Sequence, residues 1–193
     1  MQRQSWLATV VFVLIGFGGG YFAGALGPSR APANRAGDPA VPAISAHCYF
    51  SPAGGCTGAI VEELKAAQHS IEVQGFSFTS RPIGSALVAA ARKGVHVTVL
   101  LDAAQTSEHR GEPQYIASHG VPVLVDSRHA MAHNKVILID GRTLITGSFN
   151  FTRAAEEDNA ENLLILHDQP RLQLAYEENF RRHVDHAERF EGR

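Results

Sequence analysis

The chain has 193 residues and a formal net charge of −2, with 45% hydrophobic and 19% charged residues. That balance excludes a disordered or collagen-like chain and suits one domain of about 150 residues plus an appendage. Every acidic residue lies beyond residue 37, so the rest of the chain is mildly acidic and is no polybasic nucleic-acid binder; any polyanion must be held by a local positive site.

In chain order, Gln4 to Ser29 carries no charge, and Trp6 to Leu26 spans 21 residues. As a helix that run reaches about 31 Å, enough to cross a bilayer core of about 30 Å. Arg3 supplies a short positive start, and Ala23-Gly24-Ala25 has the small-residue pattern of a cleavage site. Residues 1–27 therefore read as a signal peptide or an N-terminal membrane anchor. The domain behind them is expected to be extracytoplasmic, periplasmic or secreted, and tethered through residues 6–26 if the segment is not cleaved. Gly16, Gly20 and Gly24 repeat at the spacing that lets two membrane helices approach, although a Gly-rich apolar segment without a partner explains them as well. Residues 28–43, with Pro28, Pro32, Pro39 and Pro42, read as a linker. Residues 44–193 form the folded domain.

Within it, Cys48 to Phe50 predicts a short strand and Ile60 to Gln68 a helix. A strand is expected over Ile71 to Phe78, and a helix over Ile83 to Arg92 with Pro82 in its first turn and Gly94 as its stop. Val95 to Leu101 is a β-branched strand, Ala103 to Gly111 a polar loop, Pro113 to Ser118 a short helix and Val121 to Val125 another strand. Val136 to Asp140 and Thr143 to Thr146 flank Gly141-Arg142 as a hairpin. Leu163 to Leu166 is a strand, and Pro170 to Val184 a closing amphipathic helix. The early β-α-β-α-β order predicts an α/β fold with a mixed, largely parallel sheet flanked by helices on both faces.

The chemistry concentrates in one stretch. His133-Asn134-Lys135 is followed after four residues by Asp140 and after six more by Gly147-Ser148-Phe149-Asn150, which makes HxK-x4-D-x6-GSxN. His133 and Lys135 are two apart, and so are Ser148 and Asn150. On neighbouring strands each pair shares a face, and the two pairs can meet at one sheet end. An ammonium with hydroxyl and carboxamide donors suits a phosphate, and an imidazole suits nucleophilic or acid–base work. With no carboxylate cluster for Mg²⁺ and no HExxH for zinc, the pattern points to metal-independent phosphoryl chemistry that needs no cofactor.

This pattern resembles the phospholipase D superfamily and its HKD motif. Ser77-Phe78-Thr79, Gly147 to Thr152 and Glu161-Asn162 extend the likeness to the small, single-motif bacterial endonucleases of that superfamily, over roughly residues 47 to 185. The resemblance implies a phosphodiesterase that works through a covalent phosphohistidine. His133 is then the nucleophile in one subunit and the general acid and base in the other, in a homodimer whose site is shared across the two-fold axis. Lys135, Ser148 and Asn150 bind the phosphate, and Glu161 accepts from the other nitrogen of His133. Asp140 belongs to the motif's catalytic set, but it lies at the far end of its strand and reads mainly as support.

Three substrate readings follow. The first is a non-specific nuclease on DNA or RNA, the second a phospholipase D acting on phosphatidylcholine-type lipids, and the third a non-catalytic, membrane-anchored phosphate-binding module. Elsewhere, Cys48 and Cys56 flank a Pro-Gly loop and are candidates for a disulfide if the domain is exported. A zinc site of His47, Cys48, Cys56 and His69 is disfavoured. His183 and His186 read as residues of a surface helix, Arg128 and His129 as a solvated loop or the edge of a substrate path, and His96 as a packed strand residue. No metal site is expected.

Overall fold

The computed structural model describes residues 45–105 and 111–190. The expected leader, the linker and part of the polar loop after Ala103 lie outside the described residues. Pro42–Arg193 forms one compact unit, and among the described residues no helix is long and apolar enough to cross a membrane.

The elements are β1 Ser45–Phe50, α1 Cys56–Ala66, β2 Ser70–Gly75, α2 Arg81–Arg92, β3 His96–Asp102, α3 Glu112–Ser118, β4 Val123–Asp126, β5 Lys135–Ile139, β6 Thr143–Gly147, α4 Arg153–Glu157, β7 Asn162–His167, α5 Pro170–Val184 and β8 Glu188–Arg189. The strands form one sheet in the order β1-β7-β6-β5-β2-β3-β4-β8. The fold is α/β with a mixed sheet and helices on both faces, as expected. The balance of pairing differs from the expectation. Only β2–β3 and β3–β4 are parallel, and every other pair is antiparallel. Parallel pairing needs a crossover, and helical crossovers end at β4. From β5 onward a hairpin leads to β6, a connection that carries α4 leads to the antiparallel β7, and α5 leads to β8.

Alternation along the strands sets the two faces. Ile71 and Val73 of β2 and Ile137 and Ile139 of β5 join the core under α1, α2 and α3. Val136 and Leu138 of β5 pack with Leu144, Leu166 and Phe180 on the face that α5 covers. His96, expected to be packed, is exposed at the start of β3. The short α4 and β8 were not anticipated, being only five and two residues long.

The hairpin turn centres on Asp140-Gly141, one residue earlier than the sequence suggested. Both residues have positive φ, 54° and 65°, and the Arg142 amide donates to the Ile139 carbonyl at 3.0 Å, as in a type I′ turn. The Asp140 carboxylate accepts the backbone amides of Gln68, His69 and Ser70 at 2.8, 2.7 and 2.8 Å. It thereby staples the hairpin to the α1–β2 connection. Burial works to raise its pKa, but those amides outweigh burial and hold it below the ordinary carboxylate value.

The disulfide expectation is corrected: both thiols are free, with Cys48 exposed on an edge strand and Cys56 fully buried. Cys56 is part of the core at the start of α1. Burial, reinforced by Glu156, pushes the Cys56 thiol up to about 11, which leaves it protonated and unreactive at neutral pH.

Asp140→Ala is expected to lower unfolding stability by about 2–3 kcal/mol, since charge-assisted hydrogen bonds contribute about 1.5–3 kcal/mol each and water partly replaces them; the urea midpoint measures this. Because the folded-state pKa is depressed, the stabilisation is complete above the unfolded carboxylate pKa. It disappears as pH falls through the folded value, so wild type and variant converge in acid.

Candidate active site

The antiparallel β2–β5 pair sets Gly75 opposite Lys135. The C-terminal end of β2 therefore adjoins the N-terminal end of β5. The β6 exit and the β7 entrance lie at the same sheet end, with Gly147 opposite Leu163. His133 precedes β5 in an irregular segment instead of sharing the strand, and it is exposed, whereas Lys135 is buried. The Ala132 amide donates to the buried carboxylate of Asp102 at 2.7 Å, and this bond fixes the residue next to His133. Sequence reading missed this anchor, whose one signal is an Asp closing the apolar run of β3.

Four groups converge here. Lys135 Nζ donates to the His133 carbonyl at 2.7 Å and lies 5.1 Å from the centroid of the Phe76 ring. The same ring sits 4.6 Å from the His133 imidazole, centroid to centroid, so Phe76 is a shared platform that the motif does not contain. Burial lowers the Lys135 pKa, with Glu161 partly opposing that shift; the ammonium thus sits poorly solvated and ready for an anion.

The loop Gly147 to Phe151 alternates its side chains. Phe149 and Phe151 are buried, and between them Ser148 is exposed and Asn150 half-buried. The two rings, contributing about 1.5–3 kcal/mol each by burial, fix the orientation of the polar pair. The amides of Thr79 and Ser80 donate to the Phe151 carbonyl at 2.9 Å each and lock the loop to the chain after β2. Gly147 is required, because at φ 151° an added Cβ would lie 2.2 Å from the Asn162 carbonyl oxygen.

The Ser148 hydroxyl donates to Glu161 Oε2 at 2.5 Å and accepts the Asn162 amide at 3.0 Å. Glu161 Oε1 accepts from Asn159 Nδ2 at 3.1 Å. The expected bond from His133 to Glu161 is therefore replaced by Ser148 and Asn159, and Glu161 acts here by orienting Ser148 and placing negative charge near Lys135. The Asn150 Oδ1 is buried without a hydrogen-bond partner among the described residues. Asp140 sits at the opposite end of β5, engaged by backbone amides. It is a structural staple and leaves the catalytic set.

The histidines of the C-terminal region also depart from expectation. His183 and His186 do not form a plain surface face: with His129 they surround the fully buried carboxylate of Asp126 at the end of β4. Burial would raise the Asp126 pKa, but the imidazoles of His183, His129 and His186 and the Arg128 amide outweigh it and hold the group well below the carboxylate range.

Residues 60–184 match the family described as "Cardiolipin synthase, PLD-like domain". The chain belongs to this phospholipase D-like family. It is 39% identical over 131 residues to a phospholipase D of Rickettsia typhi, covering 68% of this chain and 64% of that one. It is 30% identical over 134 residues to a mitochondrial cardiolipin hydrolase of Chlamydomonas reinhardtii, covering 69% and 60%. The chain thus spans less than two thirds of the length of these curated relatives. Among solved structures it is similar to Nuc of Salmonella typhimurium, a phospholipase D family member, with TM-score 0.73 and 33% identity. That match covers 77% of this chain and 99% of the other. NucT of Helicobacter pylori shares the fold at TM-score 0.70 and 19% identity.

Lys135→Met is expected to keep the fold, because the methionine fills the same half-apolar slot without a desolvated charge. Turnover of a phosphodiester substrate should fall by about 10²–10³-fold, the range for removing one electrostatic donor to a transition state. Thermal melting and steady-state kinetics on the same preparation separate the two effects.

Proposed function

We propose that the chain is a metal-independent phosphodiesterase acting on nucleic acid through a covalent phosphohistidine, at a site completed by a second copy. The observation that carries this reading is the exposed His133 beside the buried Lys135, with Asn150 and the Ser148–Glu161 pair at the same sheet end. An imidazole nitrogen of His133 attacks phosphorus. The bond to the leaving oxygen breaks, and that oxygen takes a proton from His133 of the partner subunit. The same partner imidazole then removes a proton from water, which displaces phosphorus from nitrogen and restores the enzyme. Lys135 and Asn150 hold the non-bridging oxygens as charge builds on them. The roles a metal would fill, namely supplying the nucleophile and absorbing charge, fall to His133 and Lys135.

Each chain has one HxK with its downstream residues, while displacement needs a nucleophile and a separate proton donor. This supports a two-fold dimer in which two copies of His133 flank one phosphate. The resemblance to small single-motif endonucleases, and the near-complete coverage of the Nuc chain, support the nucleic-acid substrate. A lipid substrate is the second reading. The relatives named phospholipase D and cardiolipin hydrolase favour it, as does Met131, which is 56% exposed two residues before His133. The uncharged N-terminal stretch supports an extracytoplasmic domain, held at the membrane if residues 6–26 are not removed.

The test presents single-stranded DNA, duplex DNA, RNA and phosphatidylcholine vesicles side by side in EDTA. Cleavage of nucleic acid is expected. Cleavage of the lipid alone selects the second reading, and loss of all turnover while the chain stays folded overturns metal independence. His133→Asn is expected to be inactive and to poison wild type. In an equal, freely exchanging mixture only about a quarter of dimers are fully wild type, so activity should approach that fraction; a fall to half would mean that each subunit works alone.

A further inference from the structure

The structure assigns a second site to this chain, a structural binding site for a first-row divalent cation of the Zn²⁺ type, built from Asp126, His129, His183 and His186. One ligand atom from each of the four lies within 4.8 Å of every other. Asp126 Oδ2 is 2.9 Å from His129 Nδ1 and 2.6 Å from His183 Nδ1, and Asp126 Oδ1 is 3.3 Å from His186 Nε2. A tetrahedral zinc with bonds of about 2.0–2.1 Å sets its ligand atoms about 3.3 Å apart, so small side-chain shifts suffice to accommodate it.

Three features separate this cluster from an ordinary histidine–carboxylate network. The Asp126 side chain is fully buried, and buried carboxylates are paired with positive charge or bind a cation. The three imidazoles crowd together, with ring centroids 4.7, 5.3 and 5.6 Å apart, so that one divalent ion between them and the carboxylate could take a donor atom from each of the four residues. Finally, His186 Nε2 is buried and, although 3.3 Å from Asp126 Oδ1, meets no hydrogen-bond geometry among the described residues; in the tautomer protonated at Nδ1 it offers a lone pair to a cation. The sequence carries the same pattern as two short i,i+3 pairs, D-x2-H and H-x2-H, the close spacing typical of structural zinc ligands. The site borders an open cleft of about 590 Å³ whose wall includes Arg128, Asn179, Arg182 and Asp185.

The site shares no residue with the catalytic pocket. β4 lies three strands from β5 in the sheet order, about 14 Å at about 4.8 Å per strand. A cation here touches no reacting atom. It ties the end of α5 to the end of β4 and to the segment that runs from Ser127 into His133.

The experiment uses the untagged full chain, stripped with chelator and desalted, then given Zn²⁺ alone. Expected are one zinc retained per chain after a second desalting and a rise of several degrees in Tm with added Zn²⁺. Co²⁺ in its place should give the visible absorption of a four-coordinate site. His183→Ala with His186→Ala should retain no zinc and lose the Tm response. If that pair fails to fold, His129→Ala, on an exposed loop residue, should weaken zinc binding at least tenfold. Wild type that retains no zinc and shows no Tm response, or variants that bind as well as wild type, overturns the assignment and leaves the cluster a histidine–carboxylate network.

Discussion

The antiparallel pairing of β2 with β5 is the constraint on which the rest of the molecule depends. It joins a parallel half, β2-β3-β4, to an antiparallel half, β5-β6-β7-β1. It also sets the direction in which the chain enters β5. The C-terminal ends of β2, β3 and β4 and the N-terminal ends of β5 and β7 therefore emerge at one edge of the sheet. Phe76, Asp102, Asp126, His133, Lys135, Ser148, Asn150 and Glu161 all sit at or just beyond that edge. At the opposite edge Asp140 binds three backbone amides and fixes the hairpin from below. In open α/β sheets ligands bind outside the carboxyl ends of the strands, and this sheet places its polar groups accordingly.

Orientation at the site comes from apolar packing more than from polar contacts. Phe149 and Phe151 enter the core, and their burial leaves Ser148 and Asn150 no choice of face. Gly147 lets the loop pass against the Asn162 carbonyl, where any side chain would collide. Lys135 is buried at the start of a strand whose other residues are all apolar. Its charge is consequently poorly solvated, and a bound anion would recover what water does not supply. Asp102 contributes through the backbone, holding Ala132 so that His133 stands exposed.

The segment between Asp126 and His133 is where the two clusters of the domain meet. At one end Asp126 gathers three imidazoles, and at the other Asp102 grips Ala132, the residue before His133. The β8 strand pairs with β4, so the C-terminal region closes over the same strand end that the histidines occupy. The contact of His183 with Asp126 makes the last helix part of the frame around the segment that leads to His133, and not merely a cover for one face of the sheet.

The sequence by itself determined the elements and the chemistry. Alternation and helical spacing place nearly every strand and helix, because burial on one face imposes its period on the residues. The HxK and GSxN motifs flank the β5–β6 hairpin and so mark one sheet end, although His133 precedes β5 and Ser148 and Asn150 follow β6. What pairs with what was decided only by the tertiary structure. The parallel share of the sheet is smaller than the early βαβ order suggests, because strand direction after β4 depends on where β5 inserts. Glu161 turns to Ser148 and Asn159, Cys48 and Cys56 point to different environments, and Phe76 becomes a platform for groups far along the chain. His183 and His186 show the limit most plainly. Their spacing is that of any surface helix, and only packing that brings Asp126 from 57 residues away converts them into a cluster, since the partner that gives a polar side chain its role is set by distance in space.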